Sequence, residues 1–164
     1  MRRTQLEKGY SLIELLVVVA IILLIAAIAI PNYFRSKMSA NEAATVNNLR
    51  GMTTALTIYA LTFKECGYPD SLTKLQPASP PTNIAASLLE AGMAQDAFYR
   101  TGYNYSFRLL GGVGDCTGAP GNDFEIEAKP AILGRTGMRG FYVNTTLVIR
   151  GDADGDADAL SPPI

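Results

Sequence analysis

The chain has 164 residues, 14 Lys and Arg against 15 Asp and Glu for a net charge of −1, and no histidine at all. That balance argues against a dedicated phosphate-binding or nucleic-acid face. The missing histidine removes the commonest general base and the commonest metal ligand together. With no glycine-rich phosphate loop, serine elbow or Cys-x-x-Cys pair, the sequence offers no catalytic residues and speaks against an enzyme.

The first element runs from Gly9 to Pro31, GYSLIELLVVVAIILLIAAIAIP. Leu15 to Ile30 contains not one polar side chain, and the 21 residues from Tyr10 to Ile30 predict about 31 Å of helix, roughly one bilayer core. One carboxylate, Glu14, stands at the entry to this run. An ionisable group near a membrane interior costs a few kcal/mol unless paired, so its presence marks function. Three ordinary readings leave it unexplained. A buried core helix is hard to house, because a chain of this size rarely hides a helix that is apolar on every face. A secretory signal has its basic head in Arg2, Arg3 and Lys8 and an A-x-A-like site at Ala27-Ile28-Ala29, releasing a protein that starts at Ile30. A one-pass anchor fits the length and the basic cytoplasmic flank.

The residues Gly9-Tyr10-Ser11-Leu12-Ile13-Glu14-Leu15, preceded by a short basic leader and followed by the apolar run and Pro31, resemble the start of type IV pilins and of the pseudopilins of type II secretion systems. The resemblance implies that residues 1–9 are a leader, removed by a prepilin peptidase after Gly9, with methylation of the new terminus at Tyr10. The family usually has phenylalanine there; Tyr10 departs from it but stays aromatic. The leader carries three basic residues and one acidic, Glu7, so its removal leaves −3. Residues 10–31 become a helix that spans the membrane first and forms the filament core later. Glu14 then pairs with the Tyr10 α-amino group of a neighbouring subunit, which disfavours wrong axial offsets and fixes the register. Pro31 stands where many type IV pilins carry a proline. The implied partners are copies of the chain in a helical filament, the prepilin peptidase, the inner-membrane pilus assembly machinery and the lipid bilayer. The implied location is the bacterial inner membrane as a single-pass precursor, then an extracellular pilus or a periplasmic pseudopilus.

Residues 32–164 read as one globular head. Val46, Leu49, Met52, Leu56, Tyr59 and Phe63 recur at steps of three and four, predicting an amphipathic helix over 32–64. Together with the apolar run this makes one long helix from about Tyr10 to about Lys64. Pro31 removes a backbone hydrogen bond and predicts a kink, acting either as a hinge or only as the end of the anchor. Cys66-Gly67-Tyr68-Pro69 stops the helix. In the αβ-loop region, 65–101, Asp70 is placed to cap a short turn through Leu75, and Ala85 to Ala91 is a second short helix candidate.

From Gly102 the period becomes two. Tyr103, Tyr105, Phe107 and Leu109 alternate with polar residues, as do Phe124, Ile126 and Ala128. Gly140 to Val143 and Leu147 to Arg150 make a third and fourth strand across the turn Asn144-Thr145-Thr146. The fold class is therefore α+β: a long N-terminal helix packed on a four-stranded antiparallel sheet over 102–150, as in pilin heads. Tyr103 and Tyr105 are read as core packing rather than a stacking platform for nucleic acid.

Cys66 and Cys116 lie fifty positions apart. Export to an oxidising compartment favours a disulfide between them, worth about 4 kcal/mol by loop closure; the alternative is two unpaired thiols. The acidic tail, 151–164, places Asp152, Asp154, Asp156 and Asp158 at alternate positions, where carboxylates can converge on Ca²⁺. Its glycine misses the sixth place of an EF-hand loop and the twelfth is Pro163, so a solvated, self-repelling, extended tail is the competing reading. No other cofactor is implied.

These observations point to the structural subunit of a type IV pilus serving adhesion, twitching motility or DNA uptake. A type II secretion pseudopilin is the nearest alternative. An alternative of another class is a membrane-anchored binding module that never polymerises, keeps its leader and tolerates change at position 14.

Overall fold

A computed structural model describes residues 9–164; the basic leader side chains discussed above lie outside the described residues. In chain order the elements are α1 (Leu12–Thr62), a 3₁₀ turn (Leu72–Leu75), β1 (Ala97–Arg100), β2 (Tyr103–Gly111), β3 (Asp123–Pro130), β4 (Gly140–Asn144) and β5 (Arg150–Asp152). The chain divides into two compact units, one ending at Ser36 and one spanning Lys37–Ile164.

The first unit is the apolar part of α1. Its most apolar 18-residue window has a mean hydropathy of 3.2 and none of it is buried, so these side chains form no core of their own. The helix is unbroken through Pro31, so the local melting expected there does not occur. A proline removes one amide donor, and Asn32 Nδ2 adds one in the same turn, bonding the Ile28 carbonyl at 3.1 Å.

The second unit is the head. Here α1 buries Thr45, Leu49, Met52, Thr53, Ala55, Leu56 and Tyr59, a stripe at steps of three and four. Against it lies the inner face of the sheet. Tyr103, Tyr105 and Phe107 of β2, Phe124, Ile126 and Ala128 of β3, and Phe141 and Val143 of β4 are all buried in the same core. The strands follow the order β1-β2-β3-β4-β5, every neighbouring pair antiparallel. Polar contacts fix the helix to the sheet: Asn48 Nδ2 donates to Tyr105 Oη at 3.1 Å, and the Met138 N–H donates to Glu42 Oε1 at 2.8 Å. Tyr103 and Tyr105 are thus both core, and Tyr105 also ties the helix to the sheet.

The sheet has five strands rather than four. The added strand, β1, lies in what the sequence assigns to the loop 65–101. It turns into β2 through Thr101 and Gly102, whose φ values of +50° and +83° suit a primed hairpin turn. The last strand, expected at Leu147 to Arg150, forms at Arg150–Asp152, because Leu147 takes φ +60° and prolongs the turn. Sheet pairing therefore reaches two residues past 150, into the tail.

The loop region also differs from expectation. Ala85 to Ala91 forms no helix. Its backbone bonds the 3₁₀ turn instead, with Ala86 N–H to Lys74 O at 2.7 Å and Leu89 N–H to Leu75 O at 2.8 Å. A seven-residue helix is too short to compete with such partners. Ser71, not Asp70, caps the turn, accepting from the Thr73 N–H at 3.1 Å; Asp70 instead pairs with Lys74 Nζ at 2.7 Å.

The acidic tail is folded, not extended. Gly151 N–H bonds Pro162 O at 3.0 Å and Ile164 N–H bonds Ile149 O at 3.1 Å, while Arg150 Nη1 donates to Ser161 O at 2.8 Å. Ala157 and Ser161 are buried. These backbone and arginine contacts oppose the mutual repulsion of the aspartates.

Candidate assembly site

Helix α1 begins at Leu12, directly after Ser11. The Leu15 N–H donates to the Ser11 carbonyl at 3.2 Å, closing the first α-helical turn. Glu14, in that turn, reaches back and accepts the Ser11 N–H on Oε2 at 2.8 Å. This is one arm of a capping box, in which a serine three places ahead of a glutamate starts a helix. The signal was present in Ser11-x-x-Glu14 and the sequence reading missed it. A carboxylate here also sits favourably at the positive end of the helix dipole. Glu14 therefore has an intrachain partner, and an ionised carboxylate retains acceptor capacity for a further donor.

Tyr10 is 91% exposed and lies one residue ahead of the cap. Gly9 has open space around it: a Cβ added there meets nothing within 4 Å. Crowding inside the chain thus gives no reason for a glycine at this position. Pro31 lies at the far end of the same apolar stretch, within the continuous helix.

Cys66 and Cys116 are joined by a disulfide with a Cα–Cα distance of 4.0 Å. Asn83 Nδ2 approaches the Cys116 sulfur at 3.3 Å. Beside them the Tyr68 N–H bonds Gly121 O and the Gly121 N–H bonds Cys66 O, each at 2.8 Å. The chains pass so closely that a Cβ on Gly121 would overlap the Tyr68 carbonyl, which explains the glycine.

The four tail carboxylates are not drawn together. Asp152 and Asp154 each accept the N–H two residues on, at 3.3 and 3.0 Å. Asp156 pairs with Lys129 Nζ at 2.6 Å. Asp158 accepts from the N–H groups of Leu160 and Ser161 and from the Ser161 hydroxyl; the Leu160 N–H, foremost among these, holds its carboxyl below the ordinary range. Among the described residues, no three His, Cys, Asp or Glu side chains are grouped as metal ligands. The predicted calcium ligands instead serve turns and an ion pair.

Residues 5–30 match the family model for the prokaryotic N-terminal methylation motif. Over 157 residues, 94% of this chain and 78% of the relative, the sequence is 29% identical to the type IV major pilin protein PilE1 of Neisseria gonorrhoeae. It is 42% identical over 62 residues, 38% of this chain and 40% of the relative, to the type IV major fimbrial protein FimA of Dichelobacter nodosus. With the type II secretion system core protein G of Escherichia coli it shares 33% identity over 61 residues, 37% of this chain and 42% of the relative. No solved structure matches the chain. The chain carries the prokaryotic N-terminal methylation motif and is a relative of the type IV pilins and of a type II secretion core protein.

Proposed function

We propose that this chain is a structural subunit of a type IV pilus, polymerising through its apolar helix into a filament. The observation that carries the reading is a membrane-length apolar helix with none of the residues of its most apolar window buried, headed by a hydrogen-bonded carboxylate inside the methylation motif. A surface of that size requires an apolar environment. Lipid supplies it to the precursor, and the helices of sister subunits supply it in the filament. The subunit is made as a membrane-anchored precursor, with residues 1–9 as leader, 10–31 as span and core helix, and 32–164 as head. Gly9 gives the peptidase close access to the backbone, Tyr10 becomes the methylated terminus, and Glu14 pairs with that terminus on a neighbour. Pro31 eases bending of the helix during transfer, and the Cys66–Cys116 bond holds the head in the oxidising space outside the membrane.

Amino-terminal sequencing of the mature protein tests this. N-methylated Tyr10 supports it; a start at Met1 favours the simple anchor, and a start at Ile30 the secretory signal. A second reading, the pseudopilus of a type II secretion system, is favoured by the similarity to core protein G. Filaments sheared from the cell surface at native expression separate the pilus from the periplasmic pseudopilus.

A further inference from the structure

Glu14 and Arg35 bracket the apolar run, with no charged side chain between them. The intervening helix rises about 32 Å, or about 30 Å along the membrane normal at an average tilt, which matches the hydrocarbon thickness of a bilayer. A subunit with Glu14 at one boundary therefore brings Arg35 to the other. Just inside that second boundary are two aromatic rings, Tyr33 and Phe34, 63% and 42% exposed, with centroids 5.8 Å apart. Just beyond it is Lys37. Neither Arg35 nor Lys37 takes part in a salt bridge among the described residues.

We propose that Tyr33, Phe34, Arg35 and Lys37 form a lipid-binding belt that docks the membrane-resident subunit on anionic phospholipid headgroups of the exported leaflet. The inference rests on the membrane-anchored precursor proposed above. Amphipathic rings settle at the headgroup level. The arginine fork matches phosphate oxygens in a bidentate manner, and the long stems of Arg35 and Lys37 let their charges reach the phosphates while the helix stays apolar. The belt sets the depth of the helix. It holds Glu14 at the opposite headgroup boundary instead of the costly centre of the bilayer, and it must be broken when the subunit leaves for the filament.

The full-length protein, reconstituted in phosphatidylcholine vesicles with and without phosphatidylglycerol, tests the belt. The chain contains no tryptophan, so Tyr33→Trp introduces a sole tryptophan, excited selectively over the tyrosines, whose depth is read by quenching with brominated lipids. Spin-labelled lipids measure headgroup preference. The expected result is a reporter at headgroup depth and up to about a thirtyfold preference for phosphatidylglycerol at low salt, the factor expected of two basic residues at an anionic surface. In Arg35→Gln/Lys37→Gln the preference falls to near one, while the protein still sediments with the vesicles after carbonate washing. A preference equal in the wild type and the double variant, or a reporter at core depth or in water, overturns the belt alone. Protein that fails to remain with the vesicles removes the membrane reading and the belt with it.

Discussion

The backbone N–H of Ser11 donates to Glu14 Oε2 at 2.8 Å, so the carboxylate at the head of the apolar helix is partly satisfied before any neighbour arrives. This changes the physical account of assembly. A wholly unpaired charge in lipid would be a strong penalty; a bonded one is tolerated, and the proposed pairing on polymerisation would add a charged donor to an acceptor already held in place.

Substitutions at Glu14 separate the two roles. Glu14→Gln preserves the cap, since glutamine also serves at this position of the box, but removes the charge that attracts a neighbour's amine. Glu14→Ala removes both. Both variants are expected to be cleaved after Gly9, and both to lose filaments, as counted by electron microscopy. Normal filaments from Glu14→Gln would assign Glu14 to helix capping and end its pairing role.

Much of this was legible because it is periodic or local. The uninterrupted apolar run, the stripe from Leu49 to Tyr59, and the alternation in Tyr103-Tyr105-Phe107 and Phe124-Ile126-Ala128 each announce their element. What escaped depends on distant partners. In β1 only four residues pair, and none of them is fully buried, so the run is too short to announce a strand; Phe98 is held by stacking on Tyr105 with ring centroids 4.6 Å apart. In β5 the residues Arg150-Gly151-Asp152 have poor strand propensity, yet they pair with β4 while the returning terminus covers Gly151. At the assembly site the miss was of another kind: Ser11-x-x-Glu14 is a local capping signal, obscured by the resemblance that drew Glu14 toward an intersubunit role.

The Cys66–Cys116 bond closes a long loop, and its removal frees the unfolded chain by about 4 kcal/mol. Cys66→Ala/Cys116→Ala is expected to lower the melting temperature of the head by roughly 10–20 °C. Calorimetry of the full chain in detergent measures this. An unchanged melting point would place the tie's contribution elsewhere.

Thr45 is wholly buried on α1, and its hydroxyl has no hydrogen-bond partner. A buried, unsatisfied polar group costs about 1–3 kcal/mol. Thr45→Val keeps the branched shape and removes the hydroxyl. Its expected effect is stabilisation by about 1 kcal/mol, seen as a melting point a few degrees higher. A lower melting point would mean that the hydroxyl has a partner in solution, such as a buried water.

Alkaline pH is expected to loosen the head through its tyrosines. Burial, reinforced by the Glu42 carboxylate, pushes the Tyr103 phenol well above its ordinary value of 10.0. Burial also raises Tyr59, with help from Asp70, and Tyr142, with help from Glu125. A group whose folded pKa is raised binds its proton more tightly when folded. Its contribution to stability is complete below the unfolded value and is lost as pH rises through the folded one. Melting temperature should therefore hold to about pH 10 and fall above it. Tyr103→Phe sharpens the test. The variant loses the hydrogen bond to the Arg139 carbonyl, 2.8 Å long, and starts less stable at pH 7 by about 1 kcal/mol. It has no phenol to ionise at that position, so its further loss between pH 9 and pH 11 should be smaller than that of the wild type. Parallel alkaline slopes for the two proteins would show that ionisation of Tyr103 is not what destabilises the head.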